Sequence, residues 1–235
     1  MSVAVITGAS RGLGRALALA LAGRRWTLIV DARTSADLAV VGAELDERGA
    51  ASVVTLAGSV AEPEHRQQIA DEVAFAGGLD LLVNNASILG PSPQPSLANY
   101  PSDVLRQVFD VNALAPLALT QTLLPALRRR NGKVVNISSD AAVEPYEGWG
   151  GYGSSKAALD QLSAVLGAEE SSVRVYAFDP GDMRTRMHQE AFPGEDISDR
   201  PEPETVVPAL MGLIDGDLPS GRYQAAALRP AEDVA

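Results

Sequence analysis

Tyr152 and Lys156 stand four residues apart in YGSSK, ahead of an alanine- and leucine-rich stretch with helical character. Residues i and i+4 share a helix face, so a phenol and an ammonium can enter one site. An ordinary tyrosine titrates near pH 10. A neighbouring cation favours the phenolate and lowers that value, toward the range of a general acid or base. Taken alone, the pair describes a serine-capped helix entry equally well. Upstream, the strand-like KVVNISS ends in Ser138 and Ser139, and Ser139 precedes Tyr152 by thirteen residues. In an open parallel sheet, ligands bind at the carboxyl ends of the strands. Ser139 and the Tyr152–Lys156 face belong near that edge.

A second candidate site opens the chain. VAVITGASRGLG places Gly8, Gly12 and Gly14 between an apolar run and a helical pattern, spaced G-x-x-x-G-x-G. Glycines there permit a tight turn and close approach of a ligand to backbone. The helix start offers free N–H groups to a pyrophosphate. The next apolar run ends VDAR, and in a dinucleotide fold that end faces the adenosine ribose. An acid there binds a 2′-hydroxyl, whereas an arginine accommodates a 2′-phosphate. Asp31 and Arg33 therefore point to opposite cofactors, unless they pair, since strand alternation puts both on one face. Arg11, inside the glycine loop, adds a second cation, and the balance favours NADP(H).

These residues need a scaffold. Apolar runs at Val3–Thr7, Trp26–Val30, Ser52–Ala57, Asp80–Asn84, Lys133–Ser138, Val173–Phe178 and Gly221–Ala226 read as strands. Most are apolar on both faces, the character of a parallel sheet covered on both sides. Helices are expected over Arg15–Ala22, Ser35–Arg48, Pro63–Ala76, Pro101–Arg130, Ser155–Glu170 and Glu204–Asp215, the fourth with an early break. Such alternation predicts an α/β, Rossmann-type, doubly wound seven-stranded parallel sheet in three αβα layers. The 235 residues suit one domain. The proline-rich Gly90–Pro101 is expected to be irregular. Asp182–Pro203 is a long insertion with the character of a lid, and 229–235 a frayed tail.

Composition narrows the function. A net charge of −11 argues against nucleic-acid binding. The basic run Arg128–Arg130 before Asn-Gly reads as a helix C-terminus. The absence of cysteine excludes disulfides, thiolate metal sites and a cysteine nucleophile. His65 and His188 stand alone, as surface or helix-face residues, so no metal is expected. No apolar run reaches the ~18 residues that span a membrane, and the start has no signal-peptide pattern. A cytoplasmic location is expected.

TGASRGLG, LVNNAS, Asn112 in VFDVNALAPLALT, VVNISS, YGSSK and DPGDMRT occur in the order and spacing of the short-chain dehydrogenase/reductases. The chain resembles that family from Met1 to about Ala226. The resemblance implies hydride transfer between a nicotinamide and a substrate carbon, the cofactor carrying the hard chemistry. It implies that Tyr152 exchanges a proton with the substrate oxygen. Lys156 lowers the Tyr152 pKa and holds the nicotinamide ribose, Ser139 holds the substrate oxygen, and Asn112, in mid-helix, supports a water relay to Lys156. The implied cofactor set takes in Gly8, Ser10, Arg11, Gly12, Leu13 and Gly14 in the loop. Ser59, Val60 and Asn85 line the adenosine side; Pro180, Gly181, Met183 and Thr185 flank the nicotinamide. Arg33 lies where NADP-dependent members carry a basic residue. Asp31, counted from Gly8, falls one residue short of the acid of NAD-dependent members, which strengthens the NADP(H) expectation. Two positions depart from the pattern: Ser87 replaces a usual glycine, and Ser59 a usual aspartate. Members commonly form dimers or tetramers through two long helices, here Pro101–Arg130 and Ser155–Glu170.

The substrate pocket is expected between Gly90–Pro101, Ala141–Gly151 and the lid. Trp149, Met183, Met187 and Phe192 are candidate walls, and Arg184, Arg186 and His188 candidate contacts for an anionic group. A hydrophobic or aromatic ketone, or its alcohol, fits such walls. Two other functions share the scaffold: a non-redox enzyme using Tyr152 for cyclisation, dehydration or epimerisation, and a cofactor-sensing binding protein. Retention of Asn112, Ser139, Tyr152 and Lys156 argues against the latter.

Overall fold

Seven short strands line up in parallel, in the order β3-β2-β1-β4-β5-β6-β7. They are Val3–Ile6 (β1), Thr27–Ala32 (β2), Ser52–Ala57 (β3), Leu81–Asn84 (β4), Lys133–Ile137 (β5), Arg174–Asp179 (β6) and Gly221–Gln224 (β7). The computed structural model describes residues 1–228, and the expected frayed tail lies outside them. The order reverses between β1 and β4, the switch point where such sheets open a crevice.

Helices cover both faces. Gly12–Ala22 (α1), Ser35–Arg48 (α2) and Val207–Asp215 (α8) pack on Ala4, Ile6, Leu28, Val30, Leu81 and Val83. Pro63–Phe75 (α3) and Ala115–Arg130 (α5) pack on Val3, Val5, Ile29, Leu82 and Val134. Alternate residues of each central strand therefore serve opposite layers, which is why these runs are apolar throughout. Ser102–Phe109 (α4), Gly150–Glu169 (α6), Arg186–Ala191 (α7) and Ala225–Leu228 (α9) complete the helices among the described residues. None is long and apolar enough to cross a membrane.

Three boundaries bear on the site. First, the helix expected over Pro101–Arg130 with an early break is indeed two, α4 and α5, joined by a π-helical turn, Asp110–Leu114. Pro116 lacks the N–H that would continue the ladder to Asn112, which places the irregularity there. Second, α6 begins at Gly150, not Ser155. Its early glycines serve packing rather than breaking the helix: a Cβ on Gly153 would lie 2.5 Å from the Ala141 carbonyl oxygen. Third, the segment read as an irregular lid contains α7, and the proline-rich loop contains a 3-10 turn at Leu97–Asn99.

Candidate active site

A cleft of about 1470 Å³ runs along the carboxyl ends of the strands, from the glycine loop to the lid. At one end, Gly8 and Gly12 take left-handed φ values of +66° and +56°, as a tight turn into α1 requires. Gly14 is pressed against the loop: a Cβ there would lie 2.5 Å from Asn85 Nδ2 and 2.7 Å from the Gly8 oxygen. No side chain caps α1, so its first amides remain free. Leu13 is buried beneath, while Ser10 and Arg11 line the cleft wall. Asn85 Nδ2 donates to the Thr7 and Gly8 carbonyls at 2.9 and 3.0 Å. It braces the loop while also lining the cleft.

At the end of β2, Asp31 and Arg33 take different surroundings. The two do not pair. The Asp31 side chain, 3% exposed, turns to the α3 layer, where Oδ2 meets His65 Nε2 at 2.9 Å. Its Oδ1 accepts the Gly8 amide at 2.7 Å. His65 is thus not a surface histidine but a core one, paired with a carboxylate. Gly58 faces His65 so closely that a side chain there would meet the imidazole. Arg33 is exposed on the cleft wall and makes no ion pair among the described residues. Arg11 is held by Asp37 at 2.9 Å. Ser59 and buried Val60 line the same end, where Ser59 Oγ accepts the Ala61 amide at 3.3 Å.

At the other end stands Tyr152, in the first turn of α6, 7% exposed. Lys156, one turn on and 2% exposed, places Nζ 5.5 Å from the centre of the Tyr152 ring. Nζ donates to the Ile137 carbonyl at 2.7 Å. Burial lowers Lys156 to about 8. Burial also raises Tyr152 above its ordinary value, and the Asp140 and Asp179 carboxylates add to the rise. The expected depression of the phenol by its lysine is therefore not found in the protein alone: removing an anion from water outweighs the neighbouring cation.

Ser139 faces the same space. Its Oγ donates to Asp140 Oδ1 at 2.9 Å and accepts the Ala141 amide at 3.2 Å. Asp140 also accepts from Tyr146 Oη at 3.0 Å. Asn112 lies not in mid-helix but in the π turn, fully buried. It exchanges two 2.9 Å bonds with the Ile88 backbone and donates to Ser155 Oγ at 3.0 Å. None of these bonds reaches Lys156. Ser155, expected as a helix-entry residue, is a buried link between Asn112 and the Tyr152 carbonyl. Ser154, by contrast, is exposed and bonds back to Gly151.

The lid closes the far wall. Pro180, Gly181, Met183 and Thr185 line the cleft. Thr185 caps α7 through the His188 amide, and its methyl would lie 3.6 Å from a Cβ on Gly12. Trp149 contacts Tyr152 edge-on at 5.9 Å between rings and Phe192 at 5.8 Å. Met187 and Leu89 join this apolar group. Two of the lid candidates are already engaged, Arg184 with Glu202 and Arg186 with Glu190. His188 lines the cleft with Nδ1 3.7 Å from Asp182, and its Nε2 is buried without a hydrogen-bond partner.

The residues present fit a dinucleotide: a left-handed glycine turn, an uncapped helix start, and buried hydroxyls of Ser87 and Ser138 without hydrogen-bond partners along the cleft. The family profile for short chain dehydrogenases matches residues 2–196, and the chain belongs to that family. It is similar to mouse sepiapterin reductase, 38% identical over 200 residues, 80% of this chain and 77% of the relative. It is 34% identical over 197 residues to a benzil reductase ((S)-benzoin forming) of Saccharomyces cerevisiae, 80% of this chain and 74% of the relative. A short chain dehydrogenase from Shigella flexneri 2a, solved with NADP, superposes with a TM-score of 0.88 at 29% identity, covering 96% of this chain and 97% of that one. The chain is therefore an oxidoreductase of the short-chain dehydrogenase/reductase type, a family that uses a nicotinamide cofactor on small molecules.

Proposed function

We propose that this protein is an NADP(H)-dependent carbonyl reductase, or alcohol dehydrogenase in reverse, for a small or medium hydrophobic ketone, with Tyr152 as general acid/base. The observation that carries this reading is the buried Tyr152 phenol beside Ser139, with the Lys156 ammonium 5.5 Å from its ring. Bound along the cleft, the nicotinamide supplies the hydride in reduction and takes it in oxidation. Tyr152 then gives its phenolic proton to the carbonyl oxygen as the C=O bond becomes C–O–H. The tyrosinate left behind is stabilised by the Lys156 ammonium and regains a proton from water. Its raised pKa keeps the phenol protonated at neutral pH, ready to act as an acid. Ser139 Oγ turns from Asp140 to hold the substrate oxygen. Asn112 acts through Ser155, fixing the turn that carries Tyr152.

The glycine loop, Gly8 to Gly14, holds the pyrophosphate on the free amides of α1. Ser59 and Val60 shape the adenine end, and Pro180 to Thr185 the nicotinamide end. Arg33 receives the 2′-phosphate of NADP(H): it is exposed on the cleft wall, whereas Asp31 is already engaged by Gly8 and His65. Support comes from the NADP complex of the Shigella flexneri relative. Trp149, Met187 and Leu89 offer an apolar wall, with Phe192 packed against Trp149, which suits an aryl ketone such as the diketone named in the yeast relative. Exposed Leu114 and Val165, on the faces of the π turn and α6, support a homodimer or homotetramer through these helices. Light scattering of wild type and Val165→Asp checks this: dissociation of the variant is expected, and a monomeric wild type contradicts it.

A panel of aryl and alkyl ketones, followed by NADPH absorbance, tests the activity. Oxidation of NADPH with benzil or a related aryl ketone is expected. Tight NADPH binding with no oxidation across the panel would instead favour a non-redox enzyme or a cofactor sensor.

A further inference from the structure

Arg222 stands on β7, beyond the residues 2–196 matched to the family. Its guanidinium reaches three segments at once. Nε donates to Asp160 Oδ2 on α6 at 2.9 Å. Nη2 donates to Asp179 Oδ2, at the end of β6, at 2.9 Å and to the Ser139 carbonyl, after β5, at 3.0 Å. The carboxylates are well buried: their side chains are 14% and 4% exposed, against 26% for Arg222. The other Asp179 oxygen accepts the Gly181 amide at 3.0 Å. Asp160 follows Lys156 by one turn of α6, and its Oδ1 is buried with no hydrogen-bond partner. One cation thus ties the backbone at Ser139, the turn at Gly181 and the helix that carries Tyr152 and Lys156. The planar fork of arginine holds its donors in fixed directions toward these acceptors.

The charges around the Tyr152–Lys156 pair come from every element that meets there. Asp140 follows β5, Asp179 ends β6, Asp160 lies on α6 and Arg222 projects from β7. Three carboxylates face one arginine and one lysine. Without Arg222, Asp160 and Asp179 would stand uncompensated beside the reacting groups, where a buried charge acts strongly.

We propose that Arg222 is a positioning residue of this active site: it clamps the ends of β5 and β6 to α6 and screens Asp160 and Asp179 from Lys156 and Tyr152. This rests on the reading of Tyr152 and Lys156 as the proton-transfer pair.

The chain contains only two lysines, Lys133 and Lys156, so lysine labelled with ¹³C at Cε gives two NMR signals, assigned with Lys156→Met. Arg222→Met is expected to move the Lys156 midpoint up by about one pH unit, because an uncompensated carboxylate favours the ammonium. Asp160→Asn is expected to move it down. The double variant should fall back below Arg222→Met alone. A merely loosened, wetter site would leave the double variant as high as Arg222→Met, and that result overturns the proposal, as does an unmoved midpoint in Arg222→Met. If Arg222→Met does not fold, Asp160→Asn decides alone: an unchanged or raised midpoint contradicts the clamp. Benzil-dependent NADPH oxidation by Tyr152→Phe is measured separately. Turnover surviving there would sink the reading of Tyr152 and leave the lysine titration standing.

Discussion

Arg33 and Asp31 stand two residues apart at the end of β2 and meet different fates. Asp31 is consumed inside the fold by Gly8 and His65, whereas Arg33 is left facing the cleft. A charged hydrogen bond to phosphate contributes about 1.5–3 kcal/mol. Arg33→Ala should therefore weaken NADPH binding by about ten- to a hundredfold, with NADH affinity unchanged, as fluorescence titration would measure. A variant that keeps its preference for NADPH removes Arg33 from that role. From the residues alone, Asp31 could not be placed. The count from Gly8 argued against its binding a ribose, but its actual partner, His65, lies 34 residues away on another element. Long-range pairs of this kind leave no periodic trace in the chain.

At the scale of elements, the π turn between α4 and α5 determines what Asn112 can reach. The resemblance located this asparagine, but helical periodicity placed it in an ordinary helix. The wider turn instead aims its amide at the Ile88 backbone and Ser155. Asn112→Ala would strand a buried amide, a carbonyl and a hydroxyl, at about 1–3 kcal/mol for each group that finds no water. The expected loss in urea unfolding is about 2–4 kcal/mol in all, and a loss below about 1 kcal/mol would contradict this network. The start of α6 was equally hidden. Gly150, Gly151 and Gly153 read as a loop, yet each is a close-packing position against Leu97, Tyr100 and Ala141. A glycine chosen for space looks, in one sequence, like a glycine chosen for freedom. The strands were plainer, because burial on both faces forces near-continuous Val, Ile and Leu, and every strand centre matched.

The whole molecule pairs an ordinary doubly wound core with an expensive group inside it. Lys156 is held near 8, below its ordinary 10.5, because the fold buries it. Between those values the unfolded chain binds the proton and the folded one does not. Stability therefore rises with pH across that window. The cost of burying the ammonium is full below about 8 and fades above it. Tyr152 acts oppositely above about pH 10, where the unfolded phenol ionises first. Urea unfolding of wild type and Lys156→Met should show wild type gaining on the variant from about pH 8 to 10. A constant difference would mean that the ammonium is not penalised. The resemblance and the alternation of strands and helices made the global fold legible; the competition between burial and charge was not, because it depends on exposure, which spacing does not encode.

In the proposed reduction, Tyr152 donates the proton to a carbonyl held beside it. The direct test is steady-state reduction of benzil with NADPH by wild type and Tyr152→Phe, alongside NADPH affinity by fluorescence. The variant is expected to bind NADPH as wild type does and to lose activity by at least about a hundredfold. A variant that binds NADPH and still reduces benzil at the wild-type rate would contradict it.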